Sequence, residues 1–126
     1  MRKVLILLFV VTIITACKKD DEKIKEIEQK ELELLKLDIQ KISGSVSCEN
    51  ASDWQFAALG NKPCGGPVEY IAYSNKIDRA LFLKIVAEYN DKSKAFNEKW
   101  DAFSDCTIVG PPKGVACVNG KPIFIQ

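Results

Sequence analysis

The chain of 126 residues contains no histidine. That absence excludes the Ser/His and Cys/His nucleophile pairs and the common zinc sites that use an imidazole. Long apolar runs are missing too. The longest, residues 4 to 14, is eleven residues including Thr12; at about 1.5 Å per residue it covers roughly half of a ~30 Å hydrocarbon core, too little for a stable membrane-spanning helix. There is no basic excess: 18 Lys and Arg stand against 17 Asp and Glu, and the lysines are interleaved with carboxylates instead of forming a patch. The electrostatic footprint of a nucleic-acid binder is therefore absent, and no nucleic-acid partner is expected. No glycine-rich loop follows a strand and opens a helix, because Gly65 and Gly66 form a lone turn, so phosphate cradling is not indicated. Close cysteine pairs are also lacking. Cys48, Cys64, Cys106 and Cys117 are separated by 16, 42 and 11 positions, spacings that argue against a structural zinc site and against any metal.

What is present begins at the N terminus. Arg2 and Lys3 precede the apolar run, and small residues lead to Cys17, the three-part layout of a secretory signal. The residues Ile14, Thr15, Ala16 and Cys17 resemble the lipobox of bacterial lipoproteins. The resemblance covers the first seventeen residues and implies that a diacylglyceryl group alkylates the Cys17 thiol, that cleavage falls before Cys17, and that residues 1–16 are removed. Two or three acyl chains suffice for stable anchoring, at about 0.8 kcal/mol per buried methylene. The implied partner is thus a membrane, held through the lipid anchor, and Cys17 is an anchor, not a catalyst. The tract Lys18, Lys19, Asp20, Asp21, Glu22 resembles the lysine-then-acidic stretch found after the lipidated cysteine in lipoproteins of the Bacteroidota. That likeness implies a cell-envelope protein of the outer membrane, exported to the surface. "DWQFAALG", "CGGP" and "YIAYS" further resemble the small four-cysteine lipoproteins of that group, a resemblance that carries a compartment and no activity.

Beyond Cys17 an even count of four cysteines in a short exported domain argues for two disulfides. Three pairings are open. Spacing favours Cys48 with Cys64 and Cys106 with Cys117, since both closures are local and each spans a turn-rich stretch.

The organisation expected is a signal peptide over 1–16, a charged helical stalk over 17–45, and a disulfide-stapled domain over 46–126. Residues 18 to 42 lack Pro and Gly, are rich in Lys and Glu, and stop at Ser43, Gly44 and Ser45, which predicts a helix. Ile24, Ile27, Leu32, Leu34, Leu35, Ile39 and Ile42 share one arc, with Leu37 turned away and Glu28, Glu31 and Asp38 intruding. Those interruptions favour a solvated spacer or weak self-association helix over a coiled coil or a helix docked on its own domain.

Period-two alternation over residues 53 to 60 predicts a strand with Trp54, Phe56 and Ala58 on one face. "NKPCGGP" is a turn cluster. In the strand that follows, Val68, Tyr70 and Ala72 share one face, and Ile71 with Tyr73 the other. Ser74 or Asn75 is positioned to cap a helix that carries Asp78 in its first turn, runs to about residue 104, and bears a stripe of Leu81, Phe82, Ile85, Tyr89, Phe96, Trp100 and Phe103, read as core. Asn90 and Asp91 offer a break. Asn119 and Gly120, between apolar runs, predict a hairpin, and Pro122 suits an edge strand. The sum is an α+β domain, a few antiparallel strands packed on one long helix.

No catalytic constellation emerges, and no cofactor is expected. Asp101 and Asp105, four apart, read as a solvated helix face. The residues with most to offer a partner are Tyr70 and Tyr73, beside a constrained turn, and Lys113, in the loop of residues 107 to 116 that the favoured pairing closes with a disulfide. Rigid tyrosines make contacts at low entropic cost, so a non-catalytic binding module with a protein or glycan ligand is the expectation. A rigid loop bearing Lys113 alternatively suits an inhibitor of a trypsin-like protease or other hydrolase. A hydrolase of unfamiliar type and a purely structural spacer complete the alternatives.

Overall fold

The computed structural model describes residues 2–126, with side chains from Lys19 onward; the expected lipid attachment at Cys17 lies outside those side chains. The order is α1 (Arg2–Ser43), a short 3-10 turn (Ala51–Asp53), β1 (Trp54–Leu59), β2 (Glu69–Ser74), α2 (Arg79–Lys99), β3 (Gly114–Val118) and β4 (Lys121–Ile125). This is the expected α+β class. Among the described residues no helix is long and apolar enough to cross a membrane.

Two compact units divide the chain, Met1–Glu31 and Leu32–Gln126. The second begins earlier than expected. Ile39 is fully buried in its core, with Leu35 and Ile42 packed against the same cluster, so the last turns of α1 belong to the folded unit and are not spacer. The reason is tertiary: Ile71, Tyr73 and Phe82 give Ile39 an apolar site that its charged flanks do not announce.

The Leu32–Gln126 unit is built around a two-stranded antiparallel sheet of β1 and β2, in which Trp54 pairs with Ser74 and Leu59 with Glu69. Because successive side chains alternate, the sheet has two apolar faces. One carries Leu59, Ile71 and Tyr73 and is covered by Ile39 of α1 and by Phe82 and Val86 of α2. Full burial of Phe82 alone is worth about 2–3 kcal/mol. The other carries Trp54 and Ala72 and packs with Cys48 and Val115, flanked by Phe56 and Phe124. The face assignment expected for both strands holds.

The second sheet is the predicted hairpin. β3 and β4 pair from Gly114 with Ile125 to Val118 with Lys121. Asn119 and Gly120 both take positive φ, 51° and 74°, which the tight turn demands and which Asn and Gly tolerate best.

Differences in α2 have local causes. Its cap is Asp78, whose Oδ1 accepts the Leu81 N–H at 3.0 Å, instead of Ser74 or Asn75. Asn90 does not break the helix. Its side chain faces β1, where Oδ1 accepts the Gly60 N–H at 2.6 Å and Nδ2 donates to the Ala58 carbonyl at 3.1 Å; these bonds offset its modest helix propensity. The helix ends at Lys99, so Asp101 and Asp105 share no helix face, and Phe103 is 95% exposed and outside the core.

The disulfides are Cys48–Cys117 and Cys64–Cys106, not the local pairs favoured from spacing. Antiparallel packing brings the segment after α1 against β3, as the Cys48 N–H to Gly120 carbonyl bond at 2.8 Å shows. Proximity in sequence was outweighed by proximity in the fold.

Candidate binding cleft

With only two strands, the β1–β2 sheet leaves both outer edges without a ladder partner, and along each strand the backbone groups of alternate residues face outward. Asn75 donates its N–H to the Asp53 carbonyl at 2.7 Å, which sets the phase of the ladder: the backbone groups of Tyr73, Ile71 and Glu69 face β1, and those of Tyr70, Ala72 and Ser74 face away. Ser43 agrees, since its hydroxyl donates to the Ala72 carbonyl at 2.6 Å. On the opposite edge, Ala58 and Gly60 of the β1 side are the residues held by Asn90.

Against the outer edge of β2 lie two adjoining clefts that share Glu69, Tyr70 and Phe124. One, of about 270 Å³, runs between residues 69–72, the last turn of α1 at Gln40, Ser43 and Gly44, and Pro122 with Phe124 of β4. Its neighbour, of about 500 Å³, is bounded by Ile108, Val109, Gly110, Pro112 and Gln126. The Tyr70 and Phe124 rings both flank Phe56, edge-on, with centroids 5.8 and 6.2 Å from it. Such arrangements hold aromatic rings in place.

Tyr70 and the loop before Lys113, separate in sequence, therefore meet at one cleft. Tyr73 does not join them. It is buried, its hydroxyl donates to Gln55 Oε1 at 2.9 Å and its ring lies 5.2 Å from that of Phe82, so it is a packing residue. Lys113 sits at the rim: its backbone N–H donates to the Ile125 carbonyl at 2.8 Å and its amine to the Gln126 carbonyl at 3.1 Å. The loop of residues 107 to 116 is not closed by a disulfide of its own. Cys106 is tied back to Cys64, and the Thr107 N–H donates to Asp105 Oδ1 at 3.1 Å. That donor, followed by the Thr107 side chain and then Lys62, holds the Asp105 carboxyl below its ordinary range.

Two further networks brace the cleft. Lys36 of α1 is ion-paired with Glu69 at the start of β2; hydrogen bonding to Glu69 raises the Lys36 pKa, while burial raises that of the neighbouring Tyr89 phenol. On the far side, Asn61 is fastened to α2: its N–H donates to Ser93 Oγ at 3.2 Å, its amide to the Asn90 carbonyl at 2.7 Å, and its carbonyl accepts from Asn97 Nδ2 at 2.6 Å. Residues 90, 93 and 97 share one helix face.

Phe124, Ile108, Pro112 and Ser43 were not singled out by sequence reasoning. Alternation in "KPIFI" does separate Phe124 from Ile123, but which face meets Tyr70 depends on how the hairpin docks. Among the described residues no group of three or more Cys, Asp or Glu is placed to hold a metal ion. Comparison with known protein families, curated proteins and solved structures finds no match to this chain.

Proposed function

We propose that the chain is a lipid-anchored protein of the cell envelope, outer-membrane and surface-exposed, whose folded unit is a non-catalytic binding module. The observation that supports the module most directly is the cleft at Tyr70 and Phe124: two aromatic rings packed edge-on against Phe56, an adjoining loop with Ile108, Val109 and Pro112, and the outer backbone edge of β2. Ligand sites characteristically combine an apolar concave lining with a few fixed polar groups. The anchor rests on the resemblance around Cys17.

Each half has its own test. Cys17→Ser is expected to release or misprocess the protein; unchanged membrane fractionation with unchanged mass refutes lipidation. For the module, the oxidised full chain is used to capture ligands from envelope extract and extracellular fluid, in parallel with Tyr70→Ala. A ligand retained by the parent protein and recovered in clearly smaller amount with Tyr70→Ala, with both proteins melting within about 4 °C of each other, supports the cleft. Turnover by the purified protein, abolished by one carboxylate substitution, overturns the reading in favour of a hydrolase.

A second reading, inhibition of a protease or other hydrolase through the loop around Lys113, is favoured by one observation. That loop is fixed at Cys106 by a disulfide and at Lys113 by the Ile125 carbonyl, while Ile108 within it is 92% exposed. Loss of inhibition in Lys113→Ala without unfolding is its signature.

A further inference from the structure

We infer that the outer edge of β2 takes up an extended peptide as an added strand, centred on Tyr70 and directing an apolar side chain at the Tyr70–Phe124 cleft; the inference rests on reading that cleft as the binding site.

The edge is chemically open where the cleft meets it. Tyr70 N–H and C=O and Ala72 N–H point away from β1 in the ladder phase set at Asn75, and no hydrogen bond to them is formed within the folded unit beyond the Ser43 bond to the Ala72 carbonyl. A peptide residue placed opposite Tyr70 exchanges two backbone hydrogen bonds with it, the ordinary unit of an antiparallel ladder. Natural edge strands are commonly protected by lysine, proline, a bulge or a cover. β2 reads Glu69, Tyr70, Ile71, Ala72, Tyr73, Ser74 and has neither lysine nor proline, and its one charge is already paired with Lys36. On the other edge of the same sheet Asn90 occupies the groups of Ala58 and Gly60, and β4 carries Pro122.

Side chains define what the strand carries. A residue opposite Tyr70 projects its side chain to the same face as Tyr70, toward Phe124, Ile108 and Pro112, and so is apolar. Its two neighbours project to the opposite face, beside Gln40 and the Lys36–Glu69 pair, and so are polar. The Ser43 bond to Ala72 closes the edge beyond that point, so only three or four peptide residues pair, roughly 10–13 Å of strand. The occupant is a free strand and not a second copy of the chain. The β2 edge lies between the last turn of α1 and β4, and a partner's β2, recessed in the same way, is kept from meeting it.

The test uses the oxidised full chain in detergent micelles and a blocked pentapeptide, acetyl-Thr-Ser-Leu-Ser-Thr-amide, with a second version methylated on the leucine nitrogen. Amide hydrogen exchange and NMR titration are read residue by residue. Expected are fast exchange of the Tyr70 N–H in the free protein, in contrast to Ile71 and Tyr73, saturable slowing by the first peptide, and binding weaker by roughly tenfold or more for the methylated one, which cannot donate to Tyr70 C=O. Tyr70→Pro removes the outward N–H while sparing the β1 ladder and is expected to abolish the response, whereas Tyr70→Ala keeps the N–H and only weakens it. Equal binding of the two peptides overturns strand addition and leaves the cleft as a binding site. Lack of response to either peptide overturns the inference, while the Tyr70→Ala capture experiment judges the binding module separately. Concentration-dependent protection of Tyr70 without peptide overturns it in favour of a second copy.

Discussion

The two edges of the β1–β2 sheet are held differently: an α2 side chain takes two backbone groups at the end of β1, and a single hydroxyl reaches β2. On the β1 side Asn90 accepts from Gly60 and donates to Ala58, and the adjoining Asn61 is fastened to α2 by Asn90 again and by two further residues, Ser93 and Asn97. On the β2 side one serine hydroxyl reaches one carbonyl. An unpaired buried backbone group costs about 1–3 kcal/mol, and one that water can reach costs far less. The closed edge is therefore the end of β1 under the helix, and the open edge is the one along the cleft. Stability and availability are divided between two sides of one small sheet.

The most severe way to break this arrangement is to release the wall that faces the open edge. Replacing Cys48 and Cys117 together by serine is expected to destabilise the fold by about 4 kcal/mol, the loop-closure entropy of a long bridge, and to free the β3–β4 hairpin that supplies Phe124. Urea denaturation of the double variant measures it. Next comes the closed edge itself. Asn90→Leu leaves the Gly60 N–H and the Ala58 carbonyl without partners and is expected to cost about 2–4 kcal/mol. Ser43→Ala, the matching change at the open edge, is expected to cost about 1 kcal/mol. Equal costs by thermal melting erase the distinction between the edges.

The smallest effect is that of pH on the ion pair at the head of β2. Lys36 has its pKa raised above 10.5, first by the Glu69 hydrogen bond. Its contribution is complete below the unfolded value and is lost as pH rises through the folded one. Tyr89, raised above 10.0 by burial, acts in the same direction because the unfolded chain gives up its phenolic proton first. The urea midpoint is thus expected to fall as pH rises above about 10, and Lys36→Met to reduce that fall without removing it. A flat profile refutes the assignment.

Much of this fold is legible in the chain because its signals are local. Asn119–Gly120 forces a turn by backbone chirality, and alternation in "EYIAYS" separates Tyr70 from Tyr73 before any partner is known. What alternation cannot tell is which face receives a helix. Tyr73 fell to the α2 side and is buried; Tyr70 fell to the side the hairpin covers incompletely and is half-exposed. The roles of Ile39 and Asn90 are not legible locally, for a common reason. Each is unremarkable by propensity and gains its role from a residue 30 or so positions away, Ile39 from Ile71 and Asn90 from Gly60. The disulfides follow the same logic, since loop length alone ranks pairs by closure and not by where the strands bring them. The cleft depends on all of these long-range placements at once, which is why Tyr70 and the loop near Lys113 were noticed separately and not as one place.

The Cys48–Cys117 bridge also decides how the molecule bears load. A pull applied between α1 and the C terminus enters the folded unit in the last turns of α1, passes Ser43, reaches Cys48, and crosses through sulfur to Cys117. The 68 residues between those cysteines lie off the line of force, because their sequence separation of 69 is enclosed in a covalent loop. Tension of that kind can extend the short segments on either side of the bridge, and it reaches the sheet that carries Tyr70 only through the packing of Ile39 and the Ser43 bond, never along its backbone.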